Sequence, residues 1–192
     1  MNRLIKYSIH LATGLAFAFL NIAVNYLVTK FSFPLFMDTI FTVAASFFSC
    51  ASGIICATVY HVLVVFLLDY KLSDIAFIIC SLTIVLVVCI AKHKLPKIKA
   101  VHLMLMATIL AVVISFEGSA LYTFIYKRYQ YAESIRTQWL SFLFLKSELP
   151  LMLSAFLARV PVNLIDKIIA MFAGWYIYRL IQKPAEKINS EE

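Results

Sequence analysis

The stretch that decides the fold covers residues 39–68 and reads TIFTVAASFFSCASGIICATVYHVLVVFLL. It contains no Asp, Glu, Lys or Arg, so nothing in it opposes burial in the hydrocarbon core of a membrane. A single helix of this length would be about 45 Å long, whereas the hydrocarbon core is about 30 Å thick. We therefore expect the helix to break near residues 49–53 and to form two short membrane-crossing helices.

The composition of the whole chain agrees with this expectation. Of its 192 residues, 63% are apolar and 14% are charged, against about 45–50% and about 25% in soluble domains. Six helices of about 20 apolar residues each would account for nearly all of the apolar content. The composition excludes a soluble enzyme, a disordered regulator and a disulfide-stapled secreted module. It also leaves too few polar residues for a sizeable domain outside the membrane.

Basic segments at the ends of the apolar runs predict the orientation of the chain. Its net charge is +7, and short basic segments stay on the cytoplasmic side of a membrane, which explains the charge without nucleic acid. The basic loop 92–99 and both basic termini share one side only if even numbers of helices separate them. We therefore predict an all-α integral membrane protein with six transmembrane helices, both termini cytoplasmic and a long external connection between helices 5 and 6. The expected helices of this single transmembrane domain, residues 1–192, lie at about 9–29, 38–49, 52–68, 74–91, 100–117 and 161–182.

The connection between helices 5 and 6 contains two apolar pieces, residues 139–145 and 149–158. Each is too short to span a membrane, so we interpret both as interfacial or re-entrant segments. A seventh span is the alternative, and it would place the basic tail outside.

The four cysteines all lie in apolar stretches, at positions 50, 56, 80 and 89. None forms a C-x-x-C pair, and none has a histidine at the spacing of a metal site. We therefore expect small packing residues rather than a disulfide or a metal site.

Strongly polar side chains within the predicted helices collect at the external end, opposite to the basic segments. Such groups are costly in lipid unless they face protein or water, and the cytoplasmic halves carry mainly Ser, Thr and Ala. This asymmetry indicates a pocket open to the outside. The candidate substrate-binding residues are Asn25, Asp38, His61, Glu117, Tyr122, Trp139, Arg159, Asn163, Asp166 and Lys167.

Most of these residues also have a purely structural interpretation. A helix-capping role explains Asp38 and Asn163 as well as a ligand contact does. Long cationic side chains such as that of Lys167 commonly reach the membrane interface. The structural roles are caps for Asp38 and Asn163, an interfacial pair for Asp166 and Lys167, a hydrogen-bonded core histidine for His61, a helix end meeting water for Glu117, and an interfacial aromatic for Trp139.

Enzymatic signatures are absent from the sequence. Its four glycines, at positions 14, 53, 118 and 174, allow no Walker A loop, so the chain cannot itself hydrolyse ATP. No hydrolase or metalloprotease pattern is present. We expect no enzyme, no cofactor and no metal.

Three short motifs resemble one family of membrane proteins. Residues 33–45, FPLFMDTIFTVAA, look like the start of helix 2 in S components, the substrate-binding subunits of energy-coupling factor (ECF) vitamin transporters. Residues 161–169, PVNLIDKII, look like the start of their last helix. Ala12 and Ala16 match an A-x-x-x-A motif of helix 1, although alanines at this spacing are common in apolar helices. Phe41 departs from the family pattern, which often has glycine there.

The resemblance implies a function and a set of partners. An S component captures a vitamin or a related nutrient from outside and docks through helix 1, here Ala12 and Ala16, on a transmembrane coupling subunit (EcfT). That subunit carries two ATPase subunits, so the expected partners are these proteins, the ligand and the lipid bilayer, with no nucleic acid. The expected location is a cell membrane, as in the bacterial plasma membrane.

Two rival functions stay open at this point. One is a non-transporting six-helix membrane scaffold like the cell-shape protein MreD, and the other is a membrane sensor module. The substrate is not fixed by the sequence. Aromatic residues Tyr122, Tyr126 and Trp139 favour a flat heterocycle, and the mixed charges allow a cationic or a zwitterionic ligand.

Overall fold

A computed structural model describes residues 3–33, 35–68, 70–129 and 149–189, and this part of the chain is helical with no strand. A 3₁₀ helix, Leu72–Phe77, leads directly into the fourth α-helix. The α-helices are α1 (Arg3–Lys30), α2 (Ile40–Phe48), α3 (Cys50–Leu67), α4 (Ile78–Lys94), α5 (Ala100–Tyr129) and α6 (Leu151–Asn189).

Four helical segments are long and apolar enough to cross a membrane: Tyr7–Lys30, Cys50–Leu67, Leu72–Lys94 and Ala100–Ile125. Helix α2 has only 9 residues and is about 14 Å long, half of a hydrocarbon core. Helix α6 has 39 residues and is not among these four. The described part of the chain is thus all-helical with four helices of membrane-crossing length, and six crossings stay a prediction.

The break between α2 and α3 lies at Ser49, within the stretch 49–53 where the sequence predicts it. Ser49 has extended backbone angles, and its side chain accepts a hydrogen bond from the Ser52 backbone N–H at 3.0 Å, which caps α3. Gly53 allows the close turn, because a Cβ there would lie 3.1 Å from Ser46 Cα.

Helix α2 sits between the other helices and contributes to two apolar clusters. One cluster joins it to α4, α5 and α6, with Val43 and Phe47 at its centre. The other joins it to α1 and α3 through Ala44 and Ala45. Gly174 of α6 allows the closest approach, since a Cβ there would lie 2.7 Å from the Ile40 carbonyl oxygen.

A polar anchor on α1 also holds α2 in place. Asn21 is fully buried, and its Oδ1 accepts a hydrogen bond from the Phe41 backbone N–H at 3.1 Å. Its Nδ2 donates to Thr42 Oγ1 at 2.9 Å. Asn21 therefore satisfies a first-turn N–H of α2 that has no partner within its own helix.

The two longest helices extend beyond their predicted bounds. Helix α5 was expected to end at residue 117 but continues to Tyr129. Helix α6 was expected at 161–182 but begins at Leu151 and ends at Asn189, so the piece 149–158 is mostly the start of α6 rather than a separate re-entrant segment. The prediction treated Pro161 as a helix start, whereas membrane helices tolerate an internal proline. The piece 139–145 lies outside the described residues.

The cysteine prediction is wrong for one pair. Cys50 and Cys89 form a disulfide with their Cα atoms 5.8 Å apart, joining the start of α3 to the last turns of α4. Cys56 and Cys80 are buried free thiols, as expected. The bonded pair is separated by 39 residues and meets only because α3 and α4 run antiparallel, which no local spacing reveals.

Candidate functional site

A cavity of about 530 Å³ lies at one end of the helix bundle, within the usual range for small-molecule sites. This end, called the cavity end below, is formed by the last turns of α1 and α3 and the first turns of α2 and α4. Helices α5 and α6 complete the wall. Of the predicted binding residues, those lining the cavity are Asp38, His61, Tyr122, Arg159, Asn163 and Lys167.

Helix α6 supplies the most polar wall. Arg159, Asn163 and Lys167 follow one another at spacings of four residues, which places them on one face of the helix, and all three are buried. The Arg159 guanidinium lies 5.6 Å from the centre of the Tyr122 ring. Asn163 Nδ2 donates to Ser115 Oγ of α5 at 2.9 Å. Two cations thus face a cavity from a buried helix face, and burying a charge in a membrane protein costs free energy unless it is paired or hydrogen-bonded.

Lys167 sits at the junction of α6 with the start of α2. Its Nζ lies 2.7 Å from Asp166 Oδ2 and donates to Thr39 Oγ1 at 3.1 Å. Asp166 does not line the cavity, and its Oδ1 accepts a hydrogen bond from the Met37 backbone N–H at 2.7 Å. The interpretation as an interfacial pair with a snorkelling lysine is therefore wrong, because both side chains are buried inside the bundle.

The hydrogen bond that Met37 donates to Asp166 stabilises an unusual backbone conformation. The φ of Met37 is +49°, in the left-handed region that residues other than glycine seldom occupy. The hydrogen bond to Asp166 fixes this turn and so directs the following Asp38 toward the cavity. Asp38 lies in the wall, 3.5 Å from the Tyr60 hydroxyl. The N-cap of α2 is Thr39, without a side-chain capping bond, so a capping role for Asp38 is not what the structure shows.

His61 combines both roles that the sequence allowed. It lines the cavity, and its Nε2 forms a hydrogen bond of 2.8 Å with Ser81 Oγ. Its ring meets that of Tyr60 edge-on, with centres 5.0 Å apart. His61 is a hydrogen-bonded core histidine whose edge belongs to the wall.

Asn25 and Glu117 lie behind the wall rather than in it. Asn25 is 1% exposed and pairs with the hydroxyl of Tyr70, a lining residue, at 3.1 Å. Glu117 Oε1 accepts from Thr83 Oγ1 at 2.7 Å, and within the described residues its buried Oε2 has no hydrogen-bond partner.

The extended helices change three further interpretations. Asn163 lies within α6, so the alternative of a cap is wrong. Glu117 lies within α5 and is not a helix end. Tyr122 is a buried residue of α5 rather than part of an external loop. Trp139 lies outside the described residues.

Several lining residues were missed by the sequence reasoning. They come from the segments before α2 and before α4, both at the cavity end, and from α3. Aromatic residues in the two short predicted external connections are the signal that points to half of the six named below. The missed residues include Phe33, Phe36, Tyr60, Tyr70, Asp74 and Phe77.

The charges of the described wall are balanced. Asp38 and Asp74 are its acids, and Arg159 and Lys167 are its bases. Most of the remaining lining is apolar or aromatic. This combination suits an uncharged or zwitterionic small molecule with a flat ring. In the part of the chain that the structure describes, no three His, Cys, Asp or Glu side chains group as a metal site requires.

The outer face of α1 carries the alanines singled out in the sequence. Ala12 and Ala16 are exposed on the bundle surface, whereas Ala18 is fully buried. Gly14 faces α3, where a Cβ would lie 2.7 Å from Ile55 Cβ. The pair therefore points away from the bundle.

The fold defines the class of the protein as an α-helical, multi-pass membrane protein. Comparison with protein-family models, with curated proteins and with solved structures finds no match to this chain.

Proposed function

We propose that this chain is the substrate-binding subunit of an ECF-type importer, which captures a vitamin or a related small nutrient in the cavity described above. The observation that carries the proposal is the polar face of α6, with buried Arg159 and Lys167 lining a cavity of about 530 Å³. Buried cations in a membrane protein are expensive, and they commonly mark a substrate path or a ligand site.

The arrangement of the two ends supports capture from outside. The cavity lies at the start of α4, and the basic loop 92–99 follows the end of the same helix. Because short basic segments stay cytoplasmic, the cavity would face the exterior of a bacterial plasma membrane. In this orientation α2 and the residues before it form one of six crossings, with both termini in the cytoplasm.

The surface of α1 supports docking on a coupling subunit. Ala12 and Ala16 form a short strip of exposed small side chains, and small residues let another helix approach closely. The partners would be the transmembrane coupling subunit and its two ATPase subunits, which would supply the ATP hydrolysis. A non-transporting scaffold would need neither a ligand nor this strip.

The ligand class follows from the balanced charges and the rings of the wall. Arg159 or Lys167 would meet an anionic group such as a carboxylate, while Asp38 or Asp74 would meet a cationic one. Tyr122, already beneath the Arg159 guanidinium, would offer a stacking surface for a heterocycle.

Co-purification with an ECF module tests the docking claim. We expect Ala12→Trp with Ala16→Trp to abolish the complex, because two large rings would hold the coupling helix away. The matched control is Leu86→Trp with Ile90→Trp, which places two tryptophans four residues apart on the exposed surface of α4. Loss of the complex only in the first variant supports the proposal. An intact complex in the first variant, or equal loss in both, contradicts it.

A further inference from the structure

A second concavity, called the basic pocket below, lies at the opposite end of the bundle from the cavity. Its volume is about 630 Å³, and it forms where the ends of α2 and α4, the loop after α4 and the last third of α6 meet. None of the described residues lining it is acidic. Its cations and aromatic rings are Lys92, Lys97, Arg179, Phe47, Trp175 and Tyr178.

Lys92 holds the pocket together. Its Nζ donates hydrogen bonds to the carbonyl oxygens of Phe47 and Phe48, the latter at 3.0 Å. These are the last carbonyls of α2, which have no partner within their own helix. Lys92 also lies 5.7 Å from the centre of the Tyr178 ring. It therefore joins α2, α4 and α6 and fixes a positive charge in the wall.

Lys97 and Arg179 complete the basic lining. Both side chains are exposed, as is that of Lys92, and they come from separate elements, the loop and α6. The Arg179 guanidinium lies 5.5 Å from the centre of the Trp175 ring, which orients it without neutralising its charge. Three cations and no described acid line the pocket, which makes it electropositive.

The surroundings of the site define the ligand. Basic pockets between membrane helices at the surface bind lipid headgroups, and Trp and Tyr favour the same depth. A guanidinium matches a phosphate through two parallel hydrogen bonds. We propose that the basic pocket binds a phosphate group, with Lys97 and Arg179 as its direct ligands. The phosphate can belong to an anionic lipid or to a soluble phosphate ester, and this binding does not depend on any ligand in the cavity.

Fluorescence quenching of Trp175 by brominated lipids tests the proposal. The chain has two tryptophans, so Trp139→Phe leaves Trp175 as the only emitter. The full chain is reconstituted with equal fractions of brominated phosphatidylglycerol or brominated phosphatidylcholine. The site is removed by Lys97→Gln with Arg179→Gln. The control is Lys94→Gln with Lys99→Gln, which removes two charges from exposed neighbours that do not line the pocket.

We expect phosphatidylglycerol to quench preferentially, and the site variant to lose about tenfold in relative affinity while the control keeps it. A preference that the site variant loses assigns the site to lipid phosphate. If the two lipids quench equally, a change of Trp175 emission on addition of glycerol 1-phosphate, absent from the site variant, assigns the site to soluble esters. No response to either ligand, or equal loss in both double variants, overturns the proposal. Native mass spectra of the chain with Trp139 intact give the same comparison through retained phosphatidylglycerol.

Discussion

Lys167 Nζ lies 2.7 Å from Asp166 Oδ2, although the two residues are neighbours in the chain and both are buried. Adjacent residues on a helix do not face each other, so this pair reaches around α6 toward two different targets. Lys167 binds Thr39, and Asp166 binds the backbone of Met37. One turn of α6 thereby fixes the segment that precedes α2 and forms part of the cavity wall.

The first prediction concerns this ion pair. Lys167→Met should destabilise the protein by about 3 kcal/mol, because it leaves the buried Asp166 carboxylate without its cation. Asp166→Asn should cost about 2 kcal/mol, since the amide oxygen can still accept from Met37. The double variant should be more stable than Lys167→Met alone. Thermal unfolding of the four proteins in detergent measures this cycle, and losses that simply add would show that the pair is not coupled.

The second prediction compares two glycines. A Cβ at Gly118 would lie 3.2 Å from Arg159 Nη1, at the end of a flexible side chain, whereas a Cβ at Gly174 would lie 2.7 Å from the Ile40 carbonyl oxygen. Gly118→Ala should therefore displace Arg159 and weaken ligand binding with little loss of stability. Gly174→Ala should separate α2 from α6 and lower the unfolding temperature. Thermal unfolding distinguishes them, and a larger loss at Gly118 would contradict the assignment.

The third prediction concerns the support behind the wall. Tyr70→Phe removes the hydroxyl that pairs with Asn25 and leaves a buried amide without that partner, at a cost of about 1–3 kcal/mol. Tyr26→Phe is the control, because Tyr26 is half exposed on the same helix as Asn25. Unfolding in detergent should show a loss for Tyr70→Phe alone. Equal stability of the two variants would mean that the Asn25 contact does not support the wall.

The fourth prediction concerns the thiols. In denaturant without a reducing agent, a maleimide should label two cysteines, Cys56 and Cys80, and after reduction it should label four. Cys50→Ser with Cys89→Ser should lower stability by about 3–4 kcal/mol, as the chain-entropy model gives for a crosslink closing a loop of this length. Four labels before reduction would contradict the crosslink between α3 and α4.

The sequence predicts the helical class and the break near Ser49 well. Both follow from the apolar runs and from the length of the stretch without charged residues, which can be read from adjacent positions. It also places most of the polar wall at one end. The true start of α6 was not predictable from Pro161, since packing against α5 and α2 overrides the local signal that a proline begins a helix. The disulfide and the Asp166–Met37 bond depend on tertiary neighbours, and no spacing along the chain reveals them.

The sequence also did not decide whether a site residue has a structural or a functional role. Asp38, His61 and Lys167 each had a structural and a functional explanation, and what the structure adds is that all three line one cavity. Asn25 and Glu117 proved to stand behind the wall, because helix periodicity gives the side of the bundle but not the depth of a side chain. Phe33, Phe36 and Tyr70 were missed because the short connections that hold them carry no helical periodicity.

The central claim is that the cavity walled by α6 binds a small solute, and native mass spectrometry of the purified chain tests it most directly. The protein is sprayed after incubation with a panel of water-soluble vitamins and their precursors. We predict one retained small-molecule adduct, lost in Arg159→Met and in Asn163→Leu and kept in the surface control Lys94→Gln. No adduct with any compound of the panel, or an adduct that survives both cavity substitutions, would contradict the claim.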